Sequence, residues 1–148
     1  MFLGAHSVAV DAKGRMAIPA RYRDALTKLD TSGASEGGRI VITRSPDGAL
    51  MLFPRDTWEP FAERVAALPM AAQWHRRLYL GHATEVDMDA AGRVLISAEL
   101  RRSAGIAGEV KLLGMGNHFE LWDKATYDEQ EARAMQGDMP DVFKDFSF

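Results

Sequence analysis

The chain has 148 residues, enough for one ordinary domain or for two small modules that share a core. It contains no cysteine, so a disulfide framework, a thiolate metal site and a cysteine nucleophile are excluded. The net charge of −3 argues against indiscriminate binding to polyanions, which needs a broad basic face, but it allows a local basic patch. Because the sequence has neither an apolar run of membrane-spanning length nor a secretory signal pattern, we expect a soluble cytoplasmic protein.

The charges are unevenly distributed along the chain. Residues 1–28 contain five basic and two acidic residues, whereas residues 123–148 contain three basic and seven acidic residues. The start of the chain is therefore the place where the charge allows a local basic patch. Within it, we expect Arg21 and Arg23 only to solvate one face of a helix.

One sequence unit occurs twice. Asp11-Ala-Lys-Gly-Arg15 returns as Asp89-Ala-Ala-Gly-Arg93 at an offset of 78 residues. Residues 53–58 match residues 122–127 at an offset of 69, so the first copy has nine additional residues. The polar, glycine-rich residues 30–38 are the predicted place for them, as a loop. We interpret the chain as a duplicated module with a loop insertion.

Each copy is predicted to begin with a β-hairpin. In copy one, residues 6–10 and 15–18 have the pattern of two strands. Asp11 suits the first turn position, because its carboxylate can accept a backbone N–H, and Gly14 suits the position that requires a positive φ. Asp89 and Gly92 occupy the same places in copy two.

A short helix follows each hairpin. Pro19 starts it in copy one, whereas in copy two Ser97 caps it and Gly105 ends it. The later strand pairs are predicted at residues 39–43 with 49–53 and at residues 110–113 with 118–122. Each copy therefore has the order ββαββ followed by a helix, which predicts an α+β fold.

The segments outside this order are a connector and a tail. The helix after copy one carries Trp58, Phe61, Val65 and Leu68 on one stripe, with Pro60 expected in its first turn. A further short helix over residues 69–80 is predicted to join the copies. From about Gln136 the chain is acidic, and we expect a frayed end.

The sequence predicts no catalytic or metal site. Residues 87–98 imitate a calcium loop, but alanines occupy its fifth and twelfth positions. The four histidines never take a metal-binding helical spacing, and Gly114-Met-Gly116 lacks the rest of a dinucleotide fingerprint. We therefore expect no enzyme activity, no metal, no cofactor and no small-molecule substrate.

Arg15 and Arg93 close the two hairpin turns and allow two interpretations. In the structural one, each arginine pairs with the turn aspartate and clamps the hairpin. In the functional one, a guanidinium on a rigid hairpin reads guanine edges or grips a phosphate of nucleic acid. The two roles are compatible.

These motifs resemble those of the MraZ family of bacterial transcriptional regulators. The resemblance covers nearly the whole chain and is carried by residues 4–23, residues 89–93 and Leu113-Gly-Met-Gly-Asn-His-Phe-Glu-Leu-Trp122. It implies two swapped-hairpin SpoVT-AbrB-like β-barrel modules in one pseudo-twofold protomer with peripheral helices. The implied domains are residues 5–54 and 82–125, with a helical connector at 55–81 and a C-terminal helix and acidic tail at 126–148.

The resemblance also implies a function and its residues. Lys13 and Arg15 match the first hairpin motif, Arg93 matches the second, and the implied partner is double-stranded DNA with tandem short direct repeats upstream of the division and cell-wall gene cluster. A ring-shaped homo-oligomer at the nucleoid would bind it. Ser97 replaces a common proline and Ala91 replaces the lysine of copy one, so we expect copy two to contribute more to assembly. The alternative is a β-barrel assembly module whose hairpins make only protein contacts.

Overall fold

The computed structural model describes residues 1–29 and 38–146, so residues 30–37 of the predicted insertion lie outside the described part. Copy one consists of β1 (Phe2–Ala9), β2 (Arg15–Ala17), α1 (Ala20–Leu29), β3 (Arg39–Arg44), β4 (Leu50–Pro54) and α2 (Arg55–Ala66). A 3-10 helix (Met70–Ala72) and α3 (Gln73–Tyr79) form the connector. Copy two consists of β5 (Thr84–Asp87), β6 (Arg93–Leu95), α4 (Ala98–Ser103), β7 (Glu109–Gly116), β8 (Phe119–Asp123) and α5 (Lys124–Gln136). The shared order confirms the α+β class.

Strands from the two copies are interleaved. The six-stranded antiparallel sheet has the order β1-β7-β8-β4-β3-β5, and β2 pairs with β6 in a separate two-stranded ribbon. The first strand of each copy thus pairs with the other copy, because β1 lies along β7 and β5 lies along β3. At the end of the first predicted hairpin, an isolated antiparallel bridge joins Val10 to Met16, and the Asp11 N–H donates to the Arg15 carbonyl at 2.9 Å. The hairpin turn is therefore present, but β1 and β2 do not pair along their length, since alternation defines a buried face but not the neighbouring strand.

The strand register repeats when the two copies are exchanged. In the ribbon, Met16 faces its repeat equivalent Val94, and Arg15 faces Leu95 while Ala17 faces Arg93. Between β4 and β8, Met51 faces its own equivalent, Glu120. An internal twofold relation therefore passes through the middle of the ribbon and the middle of the sheet.

Side-chain alternation separates two buried layers. Leu52 and Leu121 face an inner core that also contains Met16 and Val94 from the ribbon. Phe53 and Trp122 point to the other face of the sheet, where their rings lie 5.4 Å from Trp58 of α2 and 5.8 Å from Tyr127 of α5. The ribbon and the helices α2 and α5 therefore lie on opposite sides of the sheet.

The helix α2 differs from its prediction. It begins at Arg55, so Pro60 lies in its second turn rather than its first, where the missing N–H removes one helical hydrogen bond. Phe61 packs on Phe53 and on Tyr79 of α3, and Val65 is buried, so most of the apolar stripe is used within the protomer. Leu68 lies beyond the helix end.

The acidic segment after α5 is exposed from residue 137 to residue 146 and contains a 3-10 helix at Asp141–Phe143. Among the described residues, no helix combines the length and the apolar character that a membrane crossing requires.

Candidate nucleic-acid interface

The first turn is held by the side chain of Asp11. Its Oδ1 accepts the backbone N–H groups of Lys13 and Arg15, both at 2.9 Å, and its Oδ2 accepts Arg15 Nε at 3.0 Å. Gly14 has a φ of +91° and donates its N–H to the Asp11 carbonyl at 2.9 Å. One carboxylate therefore fixes both the backbone of the turn and the arginine that closes it.

The second turn repeats this geometry. Asp89 Oδ1 accepts the N–H groups of Ala91 at 2.9 Å and Arg93 at 2.8 Å, and Oδ2 accepts Arg93 Nε at 3.0 Å. Gly92 has a φ of +78°. Because Ala91 stands where copy one has Lys13, the turn conformation does not depend on the lysine side chain.

Hydrogen bonding keeps both carboxylates ionised. The backbone N–H of Arg15 is the main cause that lowers the pKa of Asp11, and the Arg15 side chain lowers it further. The pKa of Asp89 is lowered in the same way by Arg93. The clamp between arginine and aspartate is thus intact at neutral pH.

The clamp uses only part of each arginine. Both ion pairs go through Nε, and no described residue accepts a hydrogen bond from the terminal nitrogens of Arg15 or Arg93. The two side chains remain 37% and 42% exposed. A guanidinium held at Nε with free Nη atoms is oriented in advance toward an external acceptor. The structural and functional interpretations of these arginines are therefore compatible in geometry.

Both arginines lie on one surface. Met16 and Val94 point inward, so the outer side of the ribbon displays a set of four side chains that we call the ribbon face: Arg15, Ala17, Arg93 and Leu95. Arg15 and Arg93 are diagonal neighbours in the antiparallel pair, a relation that places residues roughly 7–8 Å apart. Lys13 is exposed in the adjoining first turn.

Two further arginines were not predicted as part of this site. Arg23 Nε donates to the Ile18 carbonyl at 2.7 Å, and Arg101 Nε donates to the Ile96 carbonyl at 3.1 Å. Arg21 is exposed, as expected, with its guanidinium 5.0 Å from the Tyr22 ring centre. For Arg23 the expectation of a solvated helix residue is wrong. The available signal was that Arg23 and Arg101 coincide at the repeat offset.

Within the described part of the chain, no group of three or more histidine, aspartate or glutamate side chains is placed to hold a metal ion.

Comparison with known proteins identifies relatives of the whole chain. A family model described as "MraZ protein, putative antitoxin-like" matches residues 1–80 and 79–141. Three similar proteins, each named Transcriptional regulator MraZ, align over 148 residues that cover 100% of both chains. They come from Verminephrobacter eiseniae at 62% identity, Acidovorax sp. (strain JS42) at 60% and Burkholderia cenocepacia at 55%.

Proposed function

The chain belongs to the MraZ family, and from this premise we propose that it is a DNA-binding transcriptional regulator. The observation that carries the proposal is the ribbon face, where each copy contributes one half-exposed arginine that is held at Nε and whose terminal nitrogens bond to none of the described residues. Guanine O6 and N7, or two phosphate oxygens, are the acceptors that suit such a fork. Lys13 adds a cation for phosphate beside Arg15.

Both copies are proposed to contact DNA. The sequence alone favours copy one, because Ala91 replaces the lysine. The shared ribbon supports equal contributions of the two copies to DNA contact, since Arg93 is as exposed as Arg15 and lies on the same face. We infer that each module, residues 5–54 and residues 82–125, donates one arginine to one continuous interface.

The proposed target is a set of tandem short direct repeats upstream of the division and cell-wall gene cluster, bound by a ring-shaped homo-oligomer. This arrangement follows from what the MraZ resemblance implies. Rotational symmetry relates ring subunits head to tail, and that relation favours direct repeats over a palindrome. Neighbouring ribbon faces meet the same side of a duplex when the repeats are about one helical turn apart, roughly 10 bp.

Footprinting on the region upstream of the protein's own gene tests this proposal. We expect protection of regularly spaced repeats, with an affinity that falls strongly as salt increases because phosphate contacts release counterions. Inserting about five base pairs, half a helical turn, between two repeats places them on opposite sides of the duplex and should weaken binding. Equal affinity for the shifted and natural sites would refute simultaneous engagement by one assembly.

The second candidate function is an assembly module that makes only protein contacts. Two exposed apolar side chains favour it, namely Leu95, 53% exposed on the ribbon face, and Trp74, 77% exposed on α3. Retention on heparin or on DNA at low salt discriminates the two functions. A pure assembly module passes through both matrices at every salt concentration.

A further inference from the structure

Each hairpin turn lies on an arginine that belongs to the other copy. Turn one contains Gly14, whose carbonyl accepts the N–H of Ile96 from copy two at 2.8 Å. The Ile96 carbonyl in turn accepts Arg101 Nε at 3.1 Å. A Cβ added to Gly14 would lie 2.5 Å from the Ile96 oxygen and 2.8 Å from Arg101 Nε. Arg101, on α4, therefore packs directly against the turn that carries Arg15.

The reciprocal contact is made by Arg23. The Gly92 carbonyl accepts the N–H of Ile18 at 2.8 Å, and the Ile18 carbonyl accepts Arg23 Nε at 2.7 Å. A Cβ added to Gly92 would overlap Arg23 at Nε, Cδ and Cζ. The same three-part contact, from glycine to isoleucine to arginine, thus occurs twice across the boundary between the copies.

The chemistry of the contact requires both of its residue types. A guanidinium is flat, so it packs under a backbone that has no side chain, while Nε still donates to a carbonyl in its plane. Glycine has no Cβ that would collide with the guanidinium, and it readily adopts the positive φ of the turn. Neither Arg23 nor Arg101 forms an ion pair with a described acidic residue, so a salt bridge does not explain their half-buried positions.

We propose that Arg101 is a positioning residue for the Arg15 turn and that Arg23 is a positioning residue for the Arg93 turn. The conformation of each turn beside the ribbon face then depends on a helix of the other copy. Both copies must therefore be folded before Arg15 or Arg93 is correctly oriented. The expected effect on DNA affinity rests on the proposed function of the ribbon face. The expected effect on the conformational order of the two turns does not.

Amide hydrogen exchange on the full-length protein tests the positioning role without DNA. In Arg101→Ala we expect faster exchange at the Lys13 and Arg15 amides, both of which donate to Asp11, with no change at Ala91 and Arg93. In Arg23→Ala the pattern should reverse. Thermal unfolding of each variant separates this local effect from loss of the whole fold. Faster exchange in the turn of the same copy, or no change in either turn, overturns the proposal.

Arg101→Lys serves as a second variant in case the alanine variant does not fold. Lysine keeps the charge and the aliphatic stem but lacks the planar fork. It should therefore loosen turn one as the alanine does. Restoration of wild-type exchange by lysine would show that charge alone suffices and would contradict the positioning role.

A double-mutant cycle on DNA binding tests the coupling to recognition. Arg101→Ala should weaken affinity roughly tenfold in the wild-type background and have little further effect when Arg15 is already alanine, as expected for residues that act together. In an Arg93→Ala background the full loss should persist. The salt dependence should stay unchanged, because a direct phosphate contact would lower the salt slope by about 1. If Arg101→Ala lowers DNA affinity equally in the Arg15→Ala and Arg93→Ala backgrounds, its role is generally structural and the proposal is rejected.

If the wild-type protein binds no DNA, the proposed function fails, whereas the hydrogen-exchange result still tests the positioning role.

Discussion

Asp11 and Asp89 are the residues on which the two turns depend. Each carboxylate accepts two backbone N–H groups and one arginine Nε, so the aspartate organises the turn before any partner arrives. The arginine that closes the turn is consequently fixed at Nε, and its terminal nitrogens make no hydrogen bond to any residue that the structure describes. In the proposed function, one side chain therefore combines a structural ion pair with a recognition group.

The first prediction concerns the titration of these aspartates. Because the folded-state pKa of Asp11 and of Asp89 is lowered, their contribution to stability is present above the ordinary pKa of about 3.9 and is lost as pH falls through the lower folded value. NMR titration of the carboxyl carbons should give both midpoints below the ordinary pKa. In Arg15→Ala the pKa of Asp11 should rise only part of the way, because the backbone N–H of residue 15 remains. A full return to the ordinary value would assign the shift to the guanidinium instead.

The second prediction concerns Gly14. Gly14→Ala should lower the free energy of unfolding by more than Gly48→Ala, although the two glycines have nearly equal φ angles of +91° and +93°. Both variants incur backbone strain of about 1–3 kcal/mol, but a Cβ at Gly48 meets no atom within 4 Å whereas one at Gly14 overlaps Ile96 and Arg101. Urea unfolding of the two variants measures the difference. Equal losses would mean that the contact between the copies is loose.

At the scale of elements, the turns could be predicted from sequence, and so could the pairing of β3 with β4 and of β7 with β8, which the structure confirms. The pairing of strands between the two copies could not be predicted. Asp11, Gly14 and their repeats specify turn geometry through local chemistry, which acts between residues close in sequence. The pairing of β1 with β7 and of β2 with β6 is decided by long-range packing that leaves no periodic signal. The sequence repeat identified Arg15 and Arg93 as candidates. Their placement on one face depends on the pairing of β2 with β6, so it could not be predicted. The contact of Arg101 with Gly14 required the fold.

The third prediction concerns the start of α4. Ser97 Oγ accepts the Leu100 N–H at 3.2 Å, and removing this cap in Ser97→Ala should cost about 1 kcal/mol. Ser97→Pro should cost less, because the φ of Ser97 is already −59° and copy one has Pro19 at the equivalent position. Thermal unfolding of the two variants gives the comparison. A larger loss for proline than for alanine would show that the two helix starts are not equivalent.

At the scale of the whole molecule, the sheet has the ribbon face on one side and the helices α2, α3 and α5 on the other. Phe53, Trp58 and Phe61 pack together on the helical side. Met70 and Trp74 remain 75% and 77% exposed in the connector. We propose that DNA contacts the ribbon face and that another protomer contacts the connector, an arrangement in which an assembly forms without covering Arg15 and Arg93.

The fourth prediction follows from this division. We expect a homo-oligomer at micromolar concentration, because contact with another protomer would remove the exposed side chains of Met70 and Trp74 from water. Light scattering coupled to gel filtration should give a mass of several protomers, and Trp74→Ala should reduce that mass while Arg15→Ala leaves it unchanged. A monomeric wild-type protein would contradict the proposed ring.

The most direct test of the central claim is the DNA affinity of single arginine variants on the region upstream of the protein's own gene. Arg15→Ala and Arg93→Ala should each weaken binding by about 1–3 kcal/mol, the range for one bidentate interaction with a base, while folding is retained. Arg133→Ala is the matched control, since it removes the same charge from an exposed arginine of α5 across the sheet from the ribbon. Fluorescence anisotropy at fixed salt should show weaker binding for the two ribbon variants and wild-type affinity for the control. Normal binding by both ribbon variants would contradict the assignment of the ribbon face to DNA.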